Sequence, residues 1–187
     1  RELDRPSVYI GTLGAIINDD ILPTKGNTTP GIFEIFKILK KGDNQQRVFI
    51  FLEISSHALA QRRLCNLPFF QTMILNIESD HLDYHKSDEN YIDAKLSITK
   101  LNNKNPTIIW IDKIQHLLPS FTDEQKEQLS KSNFLSNIDP LAAFNYSIDF
   151  NPNGSSKINL NFPDLNLDTN VSSFLRFNIE NYISAIA

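Results

Sequence analysis

The sequence predicts an α/β domain: a mostly parallel sheet flanked by helices, with a small antiparallel hairpin region. Three observations predict it. Short apolar runs of strand length alternate with stretches of helical period as far as about residue 111. The run V-F-I-F-L-E-I at 48–54 is apolar except for one acid, the pattern of a strand buried on both faces. Asn151-Pro152-Asn153-Gly154 lies between two strand-like segments, which is hairpin chemistry.

The elements follow in order. Residues 7–10 read as a short strand running into Gly11-Thr12-Leu13-Gly14. Residues 18–30 are rich in Asp, Gly, Pro and Thr and read as a loop. Residues 30–41 carry Ile32, Phe33, Ile35, Phe36, Ile38 and Leu39 at helical spacing, and Lys40, Lys41 and Gly42 suit the end of that helix. After the strand at 48–54, a serine opens a helix over 55–66, and 72–77 is another apolar strand. Ser87 caps a helix that begins at Asp88 and Glu89, acids suited to a first turn, and runs towards Lys104. A strand is expected at 107–111, a polar helix at 122–131, hairpin strands at 142–150 and 157–162, and a closing amphipathic helix over 171–187. No repeat and no second domain stand out.

Composition limits the function. With 187 residues, 41% hydrophobic and 10% aromatic, the chain can bury one real core. A net charge of −4 without Lys/Arg clusters argues against nucleic acid or an anionic membrane as main partner. The longest apolar stretches are strand-sized, too short to span a bilayer. Cys65 is the only cysteine, so no internal disulfide framework exists; a reducing, cytoplasmic setting is the expectation.

Ligands of parallel α/β sheets gather beyond the carboxyl ends of the strands. Three polar clusters fall at such ends. Gly11-Thr12 follows the first strand. Glu53 closes the second and leads into Ser55-Ser56-His57. Asn76 closes the third and leads into Asp80-His81-Leu82-Asp83-Tyr84-His85. Each has a plain and a chemical reading. Glu53 is either a solvated carboxylate or an oxygen ligand for a hard cation such as Mg2+. Ser55, Ser56 and His57 make either a helix cap or an anion site; without a Gly-x-Ser-x-Gly elbow they do not make a serine hydrolase. His81 and His85, four apart, form either a transition-metal pair, as in a metallohydrolase, or part of a polar turn. Gln61, Arg62 and Arg63 are either a solvated face or a planar fork for a carboxylate or phosphate. Lys95 lies one turn after Tyr91 and alone reads as an exposed lysine. None of the six glycines is followed by lysine, so these residues contain no Gly-Lys-Ser/Thr phosphate loop.

Taken together, GTLG (11–14), NTTP (27–30), EISSHALAQRR (53–63), DHLDYH (80–85), YIDAK (91–95) and FNIEN (177–181) resemble the Mur ligases, in order and spacing, over nearly the whole chain. The nearest wording is that of the branch adding diaminopimelate or lysine to UDP-N-acetylmuramoyl-alanyl-glutamate. The resemblance is to the family's central domain, so residues 1–187 are expected to be an incomplete central domain without the family's UDP-binding and amino-acid-binding domains. It implies that Asn27, Thr28, Thr29, Ser55, Gln61 and Arg63 hold the UDP-sugar-peptide. Glu53 and His81 would help place Mg2+, and Lys95 would react with CO2 to become a carbamate. Asn178 and Asn181 would lie on the ATP side. The implied reaction is ATP-dependent amide formation through an acyl phosphate, carried out by a monomer on a UDP-N-acetylmuramoyl-dipeptide and an amino acid. With no phosphate loop, the 187 residues alone are expected to be inactive; a non-catalytic remnant that still binds the UDP-sugar-peptide is the alternative. Two smaller departures stand out: Leu75 where the family has threonine, and Lys86 where it often has glycine.

Overall fold

The computed structural model describes residues 7–17, 20–24, 26–42, 48–64, 66–78, 80–102, 105–139, 141–150, 155–162 and 165–171. The chain divides into two compact units, Arg1–Leu67 and Pro68–Ala187, each taken separately below.

The first unit is a four-stranded sheet in the order β3-β2-β1-β4. Strand β1 (Ser7–Gly11) turns through Thr12 and Leu13 into β2 (Gly14–Ile17), and β3 (Asp20–Leu22) pairs antiparallel to β2. The segment expected to be a loop from residue 18 thus contains a short strand. Gly14, at φ +102°, adopts a backbone open to glycine, and a Cβ there would sit 2.7 Å from the Leu22 carbonyl oxygen. Helix α1 (Ile32–Gly42) forms where the apolar spacing predicts it and buries Ile35 and Ile38, while Phe33 and Phe36 face outward. Strand β4 (Phe49–Leu52) runs parallel to β1, with Tyr9 opposite Phe51 and Ile10 opposite Leu52.

The expectation that β4 is buried on both faces is corrected. Phe49, Ile50 and Phe51 are 37%, 46% and 44% exposed. A continuous apolar run reports burial only when both edges and both faces are covered, and among the described residues of this unit β4 pairs with β1 alone. The helix expected over 55–66 is shorter, with α2 (Ser56–Ala60) followed by turns and Arg62 at φ 52°.

The second unit carries a six-stranded sheet in the order β10-β9-β8-β7-β6-β5. Strands β5 (Met73–Ile74), β6 (Ile108–Trp110), β7 (Asn133–Ser136) and β8 (Phe144–Phe150) pair in parallel; β9 (Ser156–Phe162) and β10 (Leu165–Val171) continue it antiparallel. The predicted mixture of parallel strands and an antiparallel margin is found here, while the strands expected at 7–10 and 48–54 belong to the sheet of the first unit. The hairpin tip at 151–154 and residues 172–187 lie outside the described residues, but Val171 ends a strand rather than opening a helix. Ile108, Trp110, Leu135, Tyr146, Ile158 and Leu160 form the core of this sheet. Trp110 donates its indole N–H to the Tyr146 hydroxyl at 3.1 Å inside that core, so neither polar group is stranded.

Helices connect β5 to β6 and β6 to β7. Helix α3 (Leu82–His85) is a single turn, and α4 (Asp88–Leu96) follows, capped by the Ser87 hydroxyl on the Asn90 amide and continued by a 3-10 turn at Ser97–Lys100. A short α5 (Ile111–Ile114) leads into a 3-10 segment, Gln115–Ser120. Helix α6 (Asp123–Ser130) opens with a capping box between Thr122 and Gln125, and the Gln125 amide also donates to Asp93 of α4 at 2.7 Å.

Lys86 closes α3 with φ 72°, the left-handed conformation that suits glycine. The lysine at this position therefore carries backbone strain. Lys86→Gly is expected to raise the unfolding free energy by about 0.5–1 kcal/mol, the relieved strain exceeding the added flexibility of the unfolded chain. Urea unfolding checks this, and a lower midpoint for the variant would contradict the strain argument.

Candidate functional site

In the first unit the chemistry gathers at the carboxyl ends of the parallel pair β1–β4. The amide of Glu53 donates to the Ile10 carbonyl at 2.9 Å, extending the ladder one residue past β4 and bringing the Glu53 carboxylate beside the β1–β2 turn. Three donors hold it there. The Tyr9 hydroxyl donates to Oε1 at 2.6 Å, and the Thr12 amide and hydroxyl each donate to Oε2 at 2.9 Å. Gly11 makes this packing feasible: a Cβ would stand 2.3 Å from the Tyr9 hydroxyl oxygen and 2.6 Å from Glu53 Cδ.

The NTTP loop joins the same network. Thr12 and Thr28 hydroxyl oxygens are 3.1 Å apart. Thr29 is fully buried; its hydroxyl donates to the Glu53 carbonyl at 2.9 Å and accepts the Ser55 amide at 2.8 Å. Ser55 then caps α2 through the Ala58 amide at 3.3 Å. Arg63 donates from Nη1 to the Thr29 carbonyl at 2.9 Å and from Nε to the Gln61 side-chain oxygen at 2.7 Å. Of the residues expected to hold the UDP-sugar-peptide, Thr28, Thr29, Ser55, Gln61 and Arg63 thus form one connected cluster around Glu53. Asn27 is exposed beside it. Arg63 gives one donor to the loop and another to Gln61, and Ser55 is a helix cap as the plain reading had it.

Electrostatics favour an ionised carboxylate. Partial burial pushes the Glu53 pKa up, but hydrogen bonds from Tyr9 and Thr12 outweigh it and hold the group below its ordinary value. The Tyr9 phenol moves the other way, pushed up to about 12 by burial, by its bond to Glu53 and by that residue's charge.

In the second unit the DHLDYH string follows the end of β5. His81 takes a left-handed backbone, φ 55°, and its amide donates to Asp80 Oδ1 at 2.7 Å while its Nε2 lies 3.3 Å from Asp80 Oδ2. The imidazole is about half exposed. His85, by contrast, is buried, its ring meeting Tyr84 and Tyr91 edge-on at 5.0 and 5.3 Å. The transition-metal pair is therefore not formed: one imidazole precedes α3 and the other packs inward. Lys95 is half-buried rather than exposed. Its Nζ donates to the Asn76 carbonyl at 3.1 Å and lies 5.5 Å from the Tyr91 ring centroid. Burial lowers its pKa against the opposing pull of Glu78 and Asp80. An open, mostly apolar cavity of about 210 Å3 lies nearby in this unit, lined by Ile77, Asp88, Tyr91, Ile92, Leu117 and Ser120.

The donor chemistry fits a hard cation in part. Glu53 offers ionised oxygen and His81 an accessible imidazole, whereas the Lys95 ammonium can be no cation ligand. Among the described residues no three His, Cys, Asp or Glu side chains gather as a metal site within reach of one another. Glu53 belongs to the first unit and His81 and Lys95 to the second. Asn178 and Asn181 lie outside the described residues.

Two features escaped the sequence reading. Tyr9 reads only as a strand aromatic, since its partner Glu53 is 44 residues away. A second strand-end network joins Asp112, after β6, to Ser136 at the end of β7: the Ser136 hydroxyl and the Asn137 amide donate to the Asp112 carboxylate, and Ser136 Oγ accepts the amides of Ile138 and Asp139.

The chain is similar to known proteins. A family profile described as the Mur ligase middle domain matches residues 3–187, and the chain belongs to the Mur ligase family. A UDP-N-acetylmuramoyl-L-alanyl-D-glutamate–2,6-diaminopimelate ligase from Wolinella succinogenes is 30% identical over 179 residues, 95% of this chain and 38% of the relative. The ligase of the same name from Helicobacter pylori is 38% identical over 99 residues, 53% of this chain and 22% of the relative. The chain therefore spans well under two thirds of the length of these curated relatives. Among solved structures, one of a ligase with that name superposes with a TM-score of 0.75 at 24% identity, covering 97% of this chain and 36% of the other. A MurF ligase from Thermotoga maritima in complex with ADP superposes at 0.60 with 12% identity, covering 98% and 38%. Both likenesses establish the fold.

The raised Tyr9 pKa has a consequence for stability. A group whose pKa is higher in the folded state stabilises it fully below the unfolded value, here 10.0, and that contribution is lost as pH rises towards about 12. The stability advantage of the native protein over Tyr9→Phe is expected to be constant up to about pH 9 and to shrink above about pH 10. Urea unfolding at a series of pH values checks it; an advantage that grows above pH 10 would contradict the assignment.

Proposed function

We propose that this chain is the central part of a ligase that joins diaminopimelate or lysine to UDP-N-acetylmuramoyl-L-alanyl-D-glutamate at the cost of ATP. One observation carries this reading: an ionised, oriented Glu53 carboxylate shares a hydrogen-bonded cluster with Thr12, Thr28, Thr29 and Ser55 at the carboxyl ends of two parallel strands. The names of the relatives point to the same substrate.

In this reading the γ-phosphoryl group of ATP passes to the glutamate carboxylate of the precursor, giving ADP and an acyl phosphate. The amine of the incoming residue then attacks the acyl carbon, phosphate departs, and an amide remains. The protein's part is mainly positioning and charge stabilisation. Thr28 and Asn27 present polar groups to the UDP-sugar-peptide, with Thr29, Gln61 and Arg63 fixing the loop that carries them. Glu53, His81 and a carbamylated Lys95 would hold Mg2+, which when bound would neutralise charge on the phosphates in transfer. Lys95 suits its role because burial lowers its pKa. More of the amine is then neutral, and its nitrogen lone pair can bond to the carbon of CO2 while a proton leaves to solvent. Asn178 and Asn181 would serve the nucleotide. The partners are small molecules, the setting is the cytoplasm and the working unit is a monomer; among the described residues no helix is long and apolar enough to cross a membrane.

The 187 residues by themselves contain no Gly-Lys-Ser/Thr sequence, so on this reading they turn over no ATP alone. In the intact ligase, mass spectrometry should detect the tripeptide product when the precursor, ATP and diaminopimelate or lysine are supplied. Lys95→Ala should lower that rate on the order of 10²-fold and remove a carbamate carbon signal from NMR spectra recorded in 13C-bicarbonate. No amide product with either amino acid, or full activity in Lys95→Ala, would overturn the proposal.

A further inference from the structure

A carboxylate that is to serve a cation must be held still without losing every lone pair to its holders. Glu53 meets this condition through its neighbours. An ionised carboxylate offers about four acceptor sites over two oxygens. The Thr12 amide and hydroxyl fill those of Oε2, and the Tyr9 hydroxyl takes one on Oε1. Among the described residues nothing else donates to Oε1, so one site on it is left, and its direction is fixed by the phenol that shares the oxygen.

The sequence builds this arrangement with alternating residues of β1. Val8 and Ile10 are buried on one face of the sheet, at 1% and 0% exposure. Tyr9 and Gly11 fall on the other, the face to which the parallel register brings Phe51 and then Glu53. A phenol reaches across to the acid only because the next residue on that face is glycine: any Cβ at Gly11 would collide with both the Tyr9 hydroxyl and the Glu53 carboxyl carbon. The rigid ring, with few rotatable bonds, orients the acid at little entropic cost.

Resting on the reading of Glu53 as a cation ligand, we propose that Tyr9 is a positioning residue of the ligase. It fixes the Glu53 carboxylate so that a single Oε1 site is presented to the divalent cation, and it touches neither substrate nor metal itself. Partners of this kind behind a metal ligand are worth about 10–100-fold in affinity.

The test uses the intact ligase with Mn2+ as probe, its binding followed by electron paramagnetic resonance of the free ion, alongside thermal unfolding. Tyr9→Phe removes only the hydroxyl and is expected to weaken Mn2+ binding about tenfold, while the same change in a Glu53→Gln background adds no further loss. Thr12→Val, which removes a donor from Oε2 but leaves Tyr9 in place, supplies a second variant should Tyr9→Phe unfold; it too is expected to weaken binding only where Glu53 is present. Tyr9→Phe binding Mn2+ like the native protein while Glu53→Gln binds tenfold or more weakly would overturn the positioning role alone. Equal losses from Tyr9→Phe in both backgrounds would also overturn it, showing a general structural effect. If Glu53→Gln binds Mn2+ normally, the assignment of Glu53 fails and the role of Tyr9 falls with it.

Discussion

The hydrogen bonds that end on the Glu53 carboxylate are the constraint on which the candidate site depends. They join the end of β1, the turn into β2 and the end of β4, and reach Thr28 of the NTTP loop through the Thr12 hydroxyl, while Thr29 of that loop donates to the Glu53 backbone carbonyl. Without them Glu53 would be a flexible acid on an exposed strand end, and the loop would lose one of its anchors. The arrangement tolerates little variation because it is assembled over a glycine. The sheet supplies the geometry; the polar groups at its end supply the chemistry.

The second unit solves a related problem differently. Lys95 is on a helix and is desolvated by the packing of α4, with a backbone carbonyl as its acceptor rather than a carboxylate. Burial lowers the Lys95 pKa, while the charges of Glu78 and Asp80 pull the other way. His81 is held by its own neighbour, Asp80, and by a left-handed backbone that a non-glycine residue adopts only at a cost.

How much of this was legible in the sequence depended on whether the signal was local. Strands β5 and β6, helix α1 and the Ser87 cap follow from short-range pattern, and they were readable. Strand β7 was not: Asn133–Ser136 contains only two apolar residues and is a strand because β6 and β8 flank it. Glu53 stood out as a lone acid ending an apolar run, whereas Tyr9 could not, since an aromatic in a strand reads as packing until its partner is located. The burial of β4 was overestimated because hydrophobicity records a strand's preference and says nothing of whether a neighbour is present at its edge. Lys86 was legible only by contrast with the family's glycine, and its positive φ supplies the physical reason for that contrast.

The proposal to test first is that the Glu53 carboxylate, held by Tyr9 and Thr12, is a ligand of a divalent cation. Anomalous diffraction from crystals of the intact ligase grown with Mn2+ and nucleotide tests it most directly. An anomalous peak at coordinating distance from Glu53 Oε1 is the expected result. A fully occupied Mn2+ that does not contact Glu53 would contradict it.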